Sequence, residues 1–169
     1  CLESLRSAEA RGRQPYCEIK GVGMGSTPIR PNVWPRNPDG IQQTLHRALK
    51  NAGVAVRDLQ AIFAAANGDT HLDAAESEAY SQIGGSPDEQ PSITAMKGAL
   101  GESFSGGGIR ACAMALAIEK KSLPPTAGLE HPTESLAFVK DEKKDLEIDN
   151  AALAGISFGG TYCYLILGR

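Results

Sequence analysis

The sequence predicts an α/β fold, and two observations carry that expectation. Apolar runs of strand length, at residues 16–24, 59–66 and 92–96, alternate with runs of helix length at 40–52, 73–83 and 109–118, the pattern of sheet and helix layers sharing one core. The chain then closes on two strand runs, 151–158 and 161–167, separated by Gly159 and Gly160, a hairpin signal on local grounds alone.

The opening residues Leu2 to Arg11 have helical character from the outset, so a preceding segment is expected in the gene. A boundary at Cys1 could reflect self-cleavage by the cysteine, but proteolysis or a cloning boundary is the favoured reading, since nothing else marks a processing site. In the strand run 16–24, Gly21, Gly23 and Gly25 invite a dinucleotide-binding reading. The spacing fails, because the phosphate fingerprint needs its third glycine three residues after the second and a helix at once, whereas Pro28 and Pro31 break any helix. A glycine-softened edge or bend is expected instead. Pro28, Pro31, Pro35 and Pro38, with Trp34, describe an extended loop. Asp39 is placed to cap the next helix, whose apolar stripe is Ile41, Leu45, Ala48, Leu49 and Ala52, and Gly53 closes it.

The run 59–66 suits a buried strand ending in the turn Asn67-Gly68, a place where α/β proteins put chemistry. His71 falls four residues past that strand end, beside the expected start of a helix, and reads as a loop histidine. Another short strand at 92–96 leads into Lys97, Glu102 and Ser105-Gly106-Gly107-Gly108, then a helix apolar nearly all round, which predicts burial. The glycines could cradle an anion or permit close packing; packing is favoured, because no P-loop lysine pattern accompanies them. Residues 140–145, of mixed sign, read as a solvated loop.

Composition bounds the function classes. With 169 residues and 41% hydrophobic content, the chain can bury one ordinary core, so residues 1–169 form one domain or half of a larger one. No run approaches the roughly 20 apolar residues of a membrane span, and the first residues lack the basic-then-apolar pattern of a signal peptide. A cytoplasmic protein is expected. A formal charge of −3 without a basic cluster argues against nucleic acid and membrane as partners. Cys1, Cys17, Cys112 and Cys163 are widely spaced and read as reduced, mostly buried thiols. His46, His71 and His131 lie too far from one another and from the cysteines for zinc-ligand spacing. Neither a metal nor another cofactor is expected, and His46 reads as a histidine at the edge of its helix's apolar stripe.

Three motifs in order resemble the C-terminal half of the β-ketoacyl synthases of the thiolase superfamily. In that family a lysine is followed five residues later by an active-site histidine and a small-residue turn; here Lys97 is retained and Glu102 stands at the histidine position. A first catalytic histidine precedes a glycine at the end of an earlier strand; here Asn67 precedes Gly68, with a shorter path to Asp73. The closing phenylalanine and glycines match Phe158, Gly159, Gly160 and Thr161, with Tyr162 in place of an asparagine. The resemblance implies a thiolase-like layered fold, the C-terminal half with a mixed sheet flanked by helices. The shortened turn and the Ser105 to Gly108 phrase look closest to chain-length factors, the partner subunits of aromatic polyketide ketosynthases. The family's nucleophilic cysteine lies in its N-terminal half, so none of the four cysteines is assigned that role. What the resemblance implies is a non-catalytic subunit for polyketide or fatty-acyl chain elongation. Its partners would be its own N-terminal ketosynthase half, an active ketosynthase subunit and an acyl carrier protein. Phe158, Gly159, Gly160 and Thr161 would border the acyl substrate, and Lys97 with Glu102 would form a structural ion pair. The alternative is a divergent active condensing enzyme in which Asn67 and Glu102 are functional replacements.

Overall fold

The computed structural model describes residues 1–83, 90–103, 105–132 and 135–169. A short helix, α1 (Leu5–Ala10), is capped by the Ser4 side chain accepting from the Ser7 amide. The strands β1 (Glu18–Ser26), β2 (Ala61–Ala64), β3 (Ser92–Ala95), β6 (Asn150–Ser157) and β7 (Thr161–Gly168) form a sheet in the order β1-β7-β6-β2-β3. β2 runs parallel to both β3 and β6, and β7 is antiparallel to β6 and to β1. Four strands therefore point one way and β7 alone points back. A separate ribbon pairs β4 (Ser122–Leu123) with β5 (Lys144–Asp145), so the solvated segment 140–145 contains a short exposed strand.

Helices α2 (Asp39–Ala52) and α3 (Thr70–Ser81) cover one face of the sheet and α5 (Gly106–Lys120) the other, while α4 (Lys97–Leu100) is a single turn after β3. Alternation along β7 feeds both layers. Tyr162, Tyr164 and Ile166 join the core under α2 and α3, and Leu167 joins Phe63, Met114 and Ile118 under α5.

The glycines of β1 lie on its helix-facing side. A Cβ at Gly21, Gly23 or Gly25 would fall 2.6 Å from the Ala52 nitrogen, 2.3 Å from the Thr44 carbonyl oxygen and 2.3 Å from Thr44 Oγ1 respectively. β1 is an edge strand, as expected, with an irregularity between Ile19 and Gly21. Its bare backbone also admits α2 to a distance that no side chain would allow.

Several sequence expectations are corrected. Asp39 does not cap α2. It is the first helical residue, and its amide donates to Asn37 Oδ1 at 2.7 Å. Gly53 does close the helix, in the left-handed conformation with φ of 68°. α3 starts three residues before the expected point because Asp69 caps it, accepting from the amides of His71 and Leu72. His46 is exposed. α5 is only half-buried: Arg110, Met114, Ala117 and Ile118 face inward, but Ile109 and Leu116 are 60% and 47% exposed. Uniform apolarity marks a helix that two layers can cover, and this chain supplies one of them. A Cβ at Gly107 or Gly108 would meet nothing within 4 Å, so close packing is not their role against the described residues. The four thiols are free, but Cys1 and Cys112 are exposed and Cys17 and Cys163 half-buried.

Candidate functional site at the carboxyl ends of the parallel strands

Because β1, β2, β3 and β6 share one direction, the segments that follow them gather at one end of the sheet. This is where open α/β sheets place ligands, since the loops there diverge from a rigid base. Asn67 follows β2 by three residues, Lys97 follows β3 by two, Phe158 follows β6 directly, and Trp34 sits in the loop after β1. Distant stretches of sequence thus reach one place through the direction of their strands.

Glu102 holds the centre. Its Oε2 accepts from Lys97 Nζ at 2.7 Å and from Asn67 Nδ2 at 2.8 Å. The Lys97 side chain is 7% exposed and the Glu102 side chain 44%, so the pair lies at the mouth of the site with its cation inside. Partial burial pushes the Glu102 carboxyl up, but the hydrogen bonds from Lys97 and Asn67 outweigh it and hold the group below its ordinary range. Asn67 is committed at its other end too, since Oδ1 accepts from the Asp69 amide at 3.0 Å. Asp73 fixes the turn by accepting from the amides of Asn67 and Gly68, each at 3.1 Å, and burial raises its pKa despite those bonds.

Trp34 joins this cluster to the closing turn. Its ring lies 5.9 Å from Lys97 Nζ and meets Phe158 edge-on, with centroids 5.4 Å apart. The backbone locks the same two segments together: Thr27 donates to the Gly160 carbonyl at 2.8 Å and Gly159 to the Val33 carbonyl at 3.0 Å. Gly159 and Gly160 take φ of 82° and 80°, and a Cβ at Gly160 would sit 2.2 Å from the Thr27 oxygen. Glycine is required at 160 on both counts, and at 159 by conformation alone. Thr161 opens β7, exposed and opposite Ser26 and Ser157.

Behind the site lies a buried polar network. Glu76, 2% exposed, accepts through Oε1 from the Ala65 amide at 2.8 Å and from the Tyr80 hydroxyl, which meets the Tyr164 hydroxyl at 2.9 Å. Burial raises the Glu76 pKa. Arg110 reaches from α5 to the carbonyls of Ala64 and Ala154, at 3.0 Å for the first. A cavity of about 430 Å³ opens beside Asn67 and runs past Asp73, Glu76 and Tyr80 towards Thr126 and His131.

The structure therefore brings Asn67, Lys97 and Glu102 into direct contact and links Phe158 to them through Trp34. His71 is exposed in the first turn of α3. Trp34, Arg110 and the Glu76 network escaped sequence reasoning. The one signal available was Arg110, a single charge within an otherwise apolar helical run.

A layered α/β fold with a polar cluster at the carboxyl ends of its parallel strands defines the class. The profile of the family described as "Beta-ketoacyl synthase, C-terminal domain" matches residues 16–130, and the chain belongs to that family. It is 31% identical over 171 residues to 3-oxoacyl-[acyl-carrier-protein] synthase 2 of Rhizobium meliloti (strain 1021), covering 99% of this chain and 40% of the relative. It is 29% identical over 173 residues to the tetracenomycin polyketide synthase ketoacyl synthase alpha subunit of Streptomyces glaucescens, with 99% and 40% coverage. The solved structure titled "The ishigamide ketosynthase/chain length factor" superposes with a TM-score of 0.90 at 30% identity, over 99% of this chain and 41% of that one. The chain spans about two-fifths of the length of these relatives.

Proposed function

We propose that this chain is the C-terminal half-domain, residues 1–169, of a ketosynthase-type protein that serves fatty-acyl or polyketide chain elongation as a non-catalytic subunit of the chain-length-factor kind. The observation that carries the reading is the Asn67–Glu102–Lys97 contact. An amide cannot shuttle a proton near neutral pH. A carboxylate would oppose a developing enolate oxyanion. Here the carboxylate also engages the amide and ammonium donors, so the cluster is closed on itself.

In this reading the N-terminal half covers the outer side of α5 at Ile109 and Leu116, together with Val22 and Met24 on the same side of β1, all of them exposed apolar groups. The active partner is a separate ketosynthase subunit bearing the nucleophilic cysteine, and the growing chain arrives on an acyl carrier protein. Phe158, Gly159, Gly160 and Thr161 border the held acyl chain, with Trp34 bracing Phe158.

The test is condensation from malonyl-loaded carrier protein by the purified complex and by each component. Activity should require a separate cysteine-bearing subunit, with product length shifting when Phe158 is made Ala. Condensation by this protein with its own N-terminal half alone would establish the divergent enzyme instead.

A further inference from the structure

β2 and β6 are hydrogen-bonded neighbours, but their parallel ladder is short. It pairs Ala61 with Ala151, Ile62 with Ala152 and Phe63 with Leu153, then stops. On the other side of β2 the ladder with β3 continues one step further, to Ala64 and Ala95. The next pair on the β6 side would be Ala64 and Ala154, and it is the carbonyls of these two residues that Arg110 Nη2 engages. Arg110 comes from the opposite face of the sheet, on α5, and is 6% exposed. Its guanidinium takes over where the ladder ends. Ala64 lies three residues before Asn67, and Ala154 four before Phe158.

A carbonyl released from a ladder inside a core needs another donor, because a buried unpaired polar group is costly. A methyl or isobutyl group at position 110 would leave both carbonyls without that donor, whereas a guanidinium is planar, rigid and charged at every working pH. Burying such a charge is expensive, and burial lowers the pKa of Arg110 accordingly. Nε has no partner among the described residues, so the donors are not all satisfied by this arrangement. A residue retained for apolar packing alone would carry none of that cost.

We infer that Arg110 is a positioning residue: by holding the ends of β2 and β6 together, it sets the spacing between the turn that carries Asn67 and the turn that carries Phe158. The inference rests on the location of the site proposed above, not on what the site does to an acyl chain.

Trp34 supplies a reporter, since it is the only tryptophan in this sequence and touches both Phe158 and the Lys97 cation. The full protein would be labelled with 5-fluorotryptophan and its resting ¹⁹F spectrum recorded without substrate, the Trp34 resonance being assigned by its loss in Trp34→Phe. Arg110→Met should displace that resonance, and Arg110→Lys should give an intermediate position because an ammonium can serve only part of the fork. Met114→Ala, on the next turn of α5 and fully buried, should lower the thermal midpoint and leave the resonance in place. A wild-type resonance in Arg110→Met, or an equal displacement in Met114→Ala, would overturn the inference. Should Arg110→Met fail to fold, the lysine variant decides: displaced from wild type supports the role, and coincident with wild type refutes it. The condensation assay has no part in this readout, so the failure of either proposal is visible separately.

Discussion

Glu102 is the residue on which the candidate site turns, and its energetics are set by unequal exposure of the two partners. Lys97 is buried while Glu102 reaches solvent. Removing the carboxylate charge therefore leaves a buried ammonium less well paired, and Glu102→Gln should destabilise the protein by about 1 kcal/mol, the low end for orphaning a charged donor because water reaches the other side. Linkage gives the pH dependence. The folded-state pKa of Glu102 is held below the ordinary value of 4.5, so its stabilising contribution is complete above that value and is lost as pH falls through the lowered one. Thermal midpoints measured from neutral to acid pH should converge for the wild type and Glu102→Gln at the acid end. Parallel curves throughout would show that the carboxylate contributes no charge-dependent stability.

At the scale of elements, the contact between β1 and α2 depends on three missing side chains. Gly23→Ala would put a Cβ 2.3 Å from the Thr44 carbonyl oxygen and 2.7 Å from the Ala48 nitrogen, both rigid helix backbone. Overpacking of that kind costs about 1–3 kcal/mol or more, and urea unfolding of the variant should show a lower midpoint. Gly53→Ala strains a left-handed residue but meets nothing within 4 Å, so it tests conformation rather than space. Sequence periodicity exposed the strands and helices because burial repeats every two or every 3.6 residues, as in Ile41, Leu45 and Ala48. The close approach at Gly23 was invisible to it, since that approach depends on which helix lies above which strand. The contact between Glu102 and Asn67 was illegible for a related reason: 35 residues separate them, and only the shared direction of β2 and β3 brings them together. The motif resemblance identified both positions without revealing that they touch. The Asp39 expectation failed because the helix already includes Asp39, whose own amide turns back to Asn37 Oδ1, so its side chain lies past the capping position.

For the whole molecule the distinctive property is an uncovered apolar side. Ile109 and Leu116 on α5 and Ile19, Val22 and Met24 on β1 are all exposed. Single exposed apolar groups are ordinary, but a set on one side of a sheet and its covering helix marks a contact surface. If an N-terminal half covers this surface, as proposed, replacing Ile109 and Leu116 with Ser should weaken its association, read by co-purification, while α5 keeps its inner contacts through Met114 and Ile118. Unchanged co-purification would place the contact elsewhere.

The sheet order also has a consequence for the birth of the protein. β1, which ends at Ser26, finds its only sheet neighbour among the described residues in β7, whose first residue is Thr161. During synthesis β1 must wait for that partner until the chain has been made past Thr161. Its glycines can meet α2 much sooner, because that helix is complete by Ala52. The tight seat of α2 on β1 thus gives the nascent chain a way to shelter one side of a waiting strand while translation runs on towards the partner that will complete it.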